Sequence, residues 1–145
     1  MNGGTGARKT DAVATLRRVS LFAGLGRHEL ASIASVVGNR DVPAGEIICA
    51  EGQAGDEFFV IRSGRVRIER GGRRRGEMSA GEFFGELALL DRGPRAATVT
   101  AVTDVSLGVI REQDFARLID EIPAVAHKLL AHLARMLRDA APPER

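Results

Sequence analysis

Between Asp41 and Ile110 the chain sustains no helical repeat. It runs as short β-branched or aromatic stretches, Ile47 to Ala50, Phe58 to Ile61, Val66 to Ile68, Ala97 to Val102 and Val105 to Ile110, separated by glycine-bearing turns. Stretches this short cannot bury a face alone, and tight turns lay each beside a neighbour, so the pattern calls for an all-β roll or barrel. The flanks have another period. Val13, Leu16, Leu21 and Phe22, then Leu25, Leu30, Ile33, Ala34 and Val37, fall as on two short amphipathic helices broken at Gly24 and Gly26, with Gly38 and Asn39 stopping the second. Beyond Arg111 the helical repeat returns, and Pro123 suits the first position of a last helix that ends before Pro142 and Pro143. The expected fold class is α+β. An antiparallel β-roll or jelly-roll over about 41–110 is flanked by N-terminal helices and by two C-terminal helices over about 111–140. One domain over 11–140 is expected, between a flexible tail at 1–10 and a short tail at 141–145.

Composition narrows the function classes. A chain of 145 residues with 44% hydrophobic side chains is enough for one domain with its own core. Its 21 basic and 19 acidic residues leave a formal charge of +2, too weak a field to argue for direct nucleic-acid binding. The opening MNGGTGARKT lacks the apolar core of a signal peptide, and no stretch approaches the roughly 20 apolar residues of a membrane span. Cys49 is the only cysteine, which excludes an internal disulfide framework; with no span in view, the expected compartment is the cytoplasm. Arg62, Arg65, Arg67, Arg70, Arg73, Arg74 and Arg75 form a basic run, but it alternates with Val66 and Ile68 and has no aromatic residues for base stacking, so it reads as a solvated hairpin. His28, His127 and His132 fall on helices rather than on the roll, so no metal site and no metal-dependent jelly-roll enzyme is expected. Arg17-Arg18-Val19-Ser20 has the form of a basophilic kinase site, yet Val19, Leu21 and Phe22 read as the apolar entry to a helix. Cys49 reads as a small core residue.

The chemistry is concentrated in GEFFGELALLDRGPRAATV, Gly81 to Val99. Phe83 and Phe84 finish a strand, and ELALLD makes a short helix whose first N–H groups have no partner within it. Gly85 permits close backbone approach, Ala88 does not obstruct that end, and the helix terminus adds partial positive charge; the arrangement suits a phosphate. Pro94 stiffens the return so that Arg95, on the following strand, aims its guanidinium at the same anion, with the Ala96 N–H beside it. Glu86 then needs a neutral donor between its carboxylate and the phosphate, and a ribose 2′-hydroxyl supplies one.

Phe84-Gly85-Glu86-Leu87-Ala88 followed by Pro94-Arg95-Ala96-Ala97-Thr98 resembles the phosphate-binding cassette of cyclic nucleotide-binding domains. Gly55-Asp56-Glu57-Phe58-Phe59-Val60-Ile61 and Ser63-Gly64-Arg65-Val66 resemble the glycine-punctuated roll of the same family, and the similarity covers roughly 20–138. The resemblance implies about eight strands and a ligand, cyclic AMP or cyclic GMP, bound by Gly85, Glu86, Leu87, Ala88, Arg95 and Ala96. It assigns Glu86 to the ribose hydroxyl, Arg95 to the exocyclic phosphate oxygen, and the backbone at Ala88 and Ala96 to the rest of the phosphate cradle. Cyclic GMP readers in the family usually carry a hydroxyl residue just after the cassette arginine. Ala96 stands there, which favours cyclic AMP.

No Trp or Tyr is available to cover the base, and none of the six Phe lies in the last helix, so Arg135 and Met136 are the lid candidates. Ala126, Leu129, Leu130, Leu133, Met136 and Leu137 are expected on one face of that helix. The spacing of Ile122, Ala126, Leu129, Leu133 and Met136 also offers a short homodimer contact. The expected function is a regulatory module that senses a cyclic nucleotide, without catalysis and without a cofactor, by moving its C-terminal helix against an effector protein. The alternatives are a regulatory domain detached from a larger channel, kinase or acyltransferase, and an interaction module that has lost its ligand. A helix-turn-helix regulator is not expected, since little sequence follows residue 138.

Overall fold

The computed structural model describes residues 13–140. A helical stretch α1, described over 13–17, leads into a 3-10 turn at Ser20–Phe22 and helix α2, Arg27–Ala34. Eight strands follow: β1 (Gly38–Val42), β2 (Ile47–Cys49), β3 (Glu57–Ser63), β4 (Arg65–Arg70), β5 (Arg73–Ser79), β6 (Phe83–Phe84), β7 (Thr98–Ala101) and β8 (Val105–Arg111). Helix α3, Glu86–Asp91, lies between β6 and β7, and α4 (Glu112–Glu121) and α5 (Pro123–Ala140) close the described chain. The strands form two four-stranded antiparallel sheets, ordered β1-β8-β3-β6 and β2-β7-β4-β5. The α+β roll of eight strands expected from the sequence is therefore present.

The run FFVI in β3 is explained by burial on both faces of the first sheet. Alternate side chains of a strand point to opposite faces. Phe58 and Val60 join the core beneath the helices with Phe83, Ile110, Phe115, Leu118, Val125 and Leu129. Phe59 and Ile61 fill the interior of the roll with Phe84, Val99, Leu107 and Val109. A one-residue slip would exchange the two sets, so the register is tightly specified. Stacked rings mark each layer: Phe58 lies 4.7 Å from Phe115, and Phe59 5.0 Å from Phe84. The β4–β5 hairpin, by contrast, presents exposed arginines to solvent, and Arg65 and Arg74 both pair with Glu77.

Three local expectations need correction. Helix α2 stops at Ala34 with Ser35 as its cap, so Gly38 and Asn39 do not stop it; they open β1, paired with Val109 and Gly108. Arg95 is not on a strand but in the loop ahead of β7. The expected α5 face also divides: Leu129 is buried at 3% exposure, while Leu130 and Leu137 are exposed at 64% and 72%. Of the spacing that offers a dimer contact, Ile122 and Leu129 are buried in the core and Met136 is exposed. The tails expected at 1–10 and 141–145 lie outside the described residues. Among the described residues no helix is long and apolar enough to cross a membrane.

Candidate functional site

Gly85 turns the chain from β6 into α3 with φ 96°, a left-handed conformation that L side chains rarely adopt. A Cβ there would also press to 3.0 Å on the Glu57 carbonyl and on Arg95 Nη1. The turn leaves the N-terminus of α3 without a side-chain cap, facing a cavity of about 770 Å³. Gly85, Glu86, Leu87, Ala88, Arg95 and Ala96 all line it, together with Cys49, Phe84 and Val99 from the roll. All six residues expected to bind the ligand therefore meet at one cavity.

Arg95 is 8% exposed and is held from below by neutral groups. Its Nη1 donates to the Gly85 carbonyl at 3.1 Å and its Nη2 to the Glu57 carbonyl at 2.8 Å. The guanidinium carbon lies 5.6 Å from the centre of the Phe59 ring. The loop itself is pinned by main-chain bonds, Arg95 N–H to the Gln53 carbonyl and Gly52 N–H to the Arg95 carbonyl, each 2.8 Å. Gly55 completes the seat: a Cβ at that position would overlap Arg95 Nε and Cζ and come within 2.7 Å of Cδ. Among the described residues Arg95 takes part in no ion pair. A guanidinium buried without a countercharge is costly, and a bound anion removes that cost.

Below this seat Arg40 and Glu57 make a two-pronged ion pair, with N···O distances of 2.9 and 2.7 Å. The hydrogen bond from Arg40 holds the Glu57 carboxyl below its ordinary range, and the same bond raises Arg40. The pair fixes the residue whose carbonyl receives Arg95. Cys49, in the cavity wall, has its thiol pushed up by burial.

Glu86 is 4% exposed, and it does not pair with Arg95. One carboxylate oxygen, Oε2, lies 3.3 Å from Nε2 of His132 on α5. The other, Oε1, is buried with no hydrogen-bond partner. His132 was invisible as a site residue in the sequence, because nothing local marks which of three scattered histidines the fold brings to Glu86. The lid candidates separate. Met136, 39% exposed, lines the cavity with Asp139, whereas Arg135 lines a different depression of about 210 Å³ beside Ser20 and Lys128. Arg70, Arg75 and Met78 of the β4–β5 hairpin also reach the cavity wall, which the sequence reading of a merely solvated hairpin did not anticipate.

The chain and its fold are similar to known proteins. The cyclic AMP receptor protein of Thermus thermophilus is 40% identical over 125 residues, 83% of this chain and 58% of that protein. A cyclic nucleotide-gated potassium channel of Rhizobium etli is 41% identical over 77% of this chain and 31% of the channel. The solved structure of PKAR CBD2 bound to Sp-2Cl-cAMPS superposes with a TM-score of 0.80 at 28% identity, covering 94% of both chains. The chain thus spans less than two thirds of the length of these curated relatives. The model of the cyclic nucleotide-binding domain matches residues 39–122, which takes in β2 to β8, the cassette and α4. The chain belongs to the cyclic nucleotide-binding domain family.

Proposed function

We propose that this domain senses a purine 3′,5′-cyclic nucleotide, cyclic AMP in preference to cyclic GMP, and reports its presence to an effector protein through α5. The observation that carries the proposal is Arg95: a buried guanidinium, oriented by two neutral carbonyls and lacking a carboxylate partner among the described residues, on the wall of a 770 Å³ cavity. The cyclic phosphate takes that charge together with the α3 amides and the Ala96 N–H. The ribose 2′-hydroxyl donates to Glu86, whose Oε1 is without a donor. Ala96 offers no hydroxyl to a guanine, which favours adenine. Met136 stands where α5 passes the cavity and supplies a flexible apolar cover for the base.

Binding without chemistry is the reading: the ligand acts by its differential affinity for two arrangements of α5. The relatives support a regulatory role, and the potassium channel among them fits a domain serving a larger effector. The cytoplasm is the compartment in which such a messenger would be met. No cofactor, metal or direct contact with nucleic acid is part of the proposal, and a homodimer would use the exposed side of α5, where Leu130, Met136 and Leu137 face solvent.

Calorimetric titration with cyclic AMP, cyclic GMP and cyclic CMP tests it. Cyclic AMP binds tightest, and Arg95→Ala weakens it by about 3 to 4 kcal/mol, or roughly 100- to 1000-fold. Unchanged affinity in that variant overturns the pose.

A further inference from the structure

His132 stands at the point where α5 leaves the core. Before it, Val125 and Leu129 are buried at 1% and 3%; after Leu133 every described residue of the helix is exposed, although Met136 and Asp139 still face the cavity. The imidazole is packed against Phe83, with ring centres 4.6 Å apart, which fixes its position. From there Nε2 reaches Glu86 Oε2 at 3.3 Å, and the Glu86 side chain is only 6% exposed. Oε1 of the same carboxylate is buried and has no donor. A buried acceptor left unpaired is costly, and native structures rarely tolerate one without a reason. The His132 contact also coexists with an open cavity lined by both residues, so the imidazole reaches the carboxylate from the α5 side without filling the cavity.

We propose that His132 is a positioning residue through which α5 reads the sugar of the ligand; this rests on the cyclic nucleotide reading above. With its hydrogen on Nε2, the imidazole donates to Glu86 Oε2 and orients the carboxylate so that Oε1 receives the ribose 2′-hydroxyl. One carboxylate is then shared by ligand and helix. Docking of α5 presents Glu86 correctly to the sugar, and by reciprocity a sugar bound to Glu86 favours the docked helix. The ribose hydroxyl thereby becomes the part of the ligand that α5 senses, while Arg95 and the phosphate supply affinity from the opposite side.

The test is titration of the full chain with cyclic AMP and with 2′-deoxy cyclic AMP, in wild type, His132→Phe and His132→Gln. Phe keeps a ring against Phe83 but cannot donate; Gln restores a donor. His132→Phe weakens cyclic AMP about tenfold and the deoxy analogue less than about twofold, and His132→Gln recovers most of the loss. Hydrogen exchange gives a second reading: cyclic AMP protects the amides of α5 beyond Leu133 in wild type and in the Gln variant, and not in the Phe variant. Equal losses for both nucleotides, no loss for either, or full protection in the Phe variant overturns the proposal. Wild-type protein that binds neither nucleotide overturns the cyclic nucleotide reading and this inference with it. Tight wild-type binding with unchanged discrimination in His132→Phe overturns this inference alone.

Discussion

Gly55→Ala places a single methyl group where the Arg95 side chain now lies. The added Cβ would overlap Nε and Cζ and stand 2.7 Å from Cδ, against about 3.5 to 4.0 Å for ordinary carbon contact. Gly55 has no positive φ, so the backbone accepts alanine, and the atoms in the way belong to the far end of a flexible side chain. The guanidinium therefore yields rather than the fold. To clear the methyl it must retreat by about 1 Å or more, which breaks the bonds of 3.1 and 2.8 Å to the Gly85 and Glu57 carbonyls and displaces the guanidinium from its place on the cavity wall. Losing one or two charge-assisted hydrogen bonds costs about 2 to 4 kcal/mol of binding, or roughly 30- to 1000-fold in cyclic AMP affinity. Stability should move much less, by about 1 kcal/mol in either direction, because alanine also narrows the unfolded ensemble. Calorimetric titration and urea unfolding on the same preparation separate the two effects. Binding within about twofold of wild type, or a large loss of stability together with the loss of binding, refutes the assigned role of Gly55.

Other variants probe other parts of the molecule. Glu57→Gln removes an ion pair whose Arg40 side chain is 43% exposed, so it should cost only about 0.5 to 1 kcal/mol in urea unfolding at neutral pH. Because Arg40 depresses the folded carboxyl, that contribution is fully present above the unfolded value near 4.3 and disappears as pH falls through the lower folded value; the gap between wild type and variant must close in acid. A gap that widens below pH 4 contradicts this account. Leu129→Ala, at 3% exposure under α5, should destabilise by about 2 to 5 kcal/mol by chemical unfolding, and an effect below 1 kcal/mol would mean α5 is not anchored there. Met136→Ala should weaken cyclic AMP about threefold to tenfold while Arg135→Ala leaves it unchanged, since only Met136 borders the cavity; fluorescence titration showing the reverse order would make Arg135 the cover.

The sequence by itself determined the roll and the ingredients of the site. Glycine-punctuated apolar runs allowed little else, and Phe83 to Ala97 held a turn, a short helix, a carboxylate and a guanidinium within one continuous segment whose chemistry is local. Strand β1 was missed at its start because Gly38, Asn39, Arg40 and Asp41 carry no apolar alternation; β8 holds them through main-chain bonds. Strand β5 escaped the count of apolar runs for the same reason, as Arg73, Arg74 and Arg75 are a strand only because β4 pairs with them. Tertiary structure alone decided which distant groups meet the cassette. The Glu57 carbonyl lies far back in the chain from Arg95 yet receives its Nη2, and Gly55 leaves the room for it. His132 reaches Glu86 only because Val125 and Leu129 seat α5 on the helical core and so fix the rotation of that helix. Periodicity names the residues that share a helical face, but the direction in which that face points is set by what packs beneath it, and the contact between Glu86 and His132 of α5 is a product of that packing.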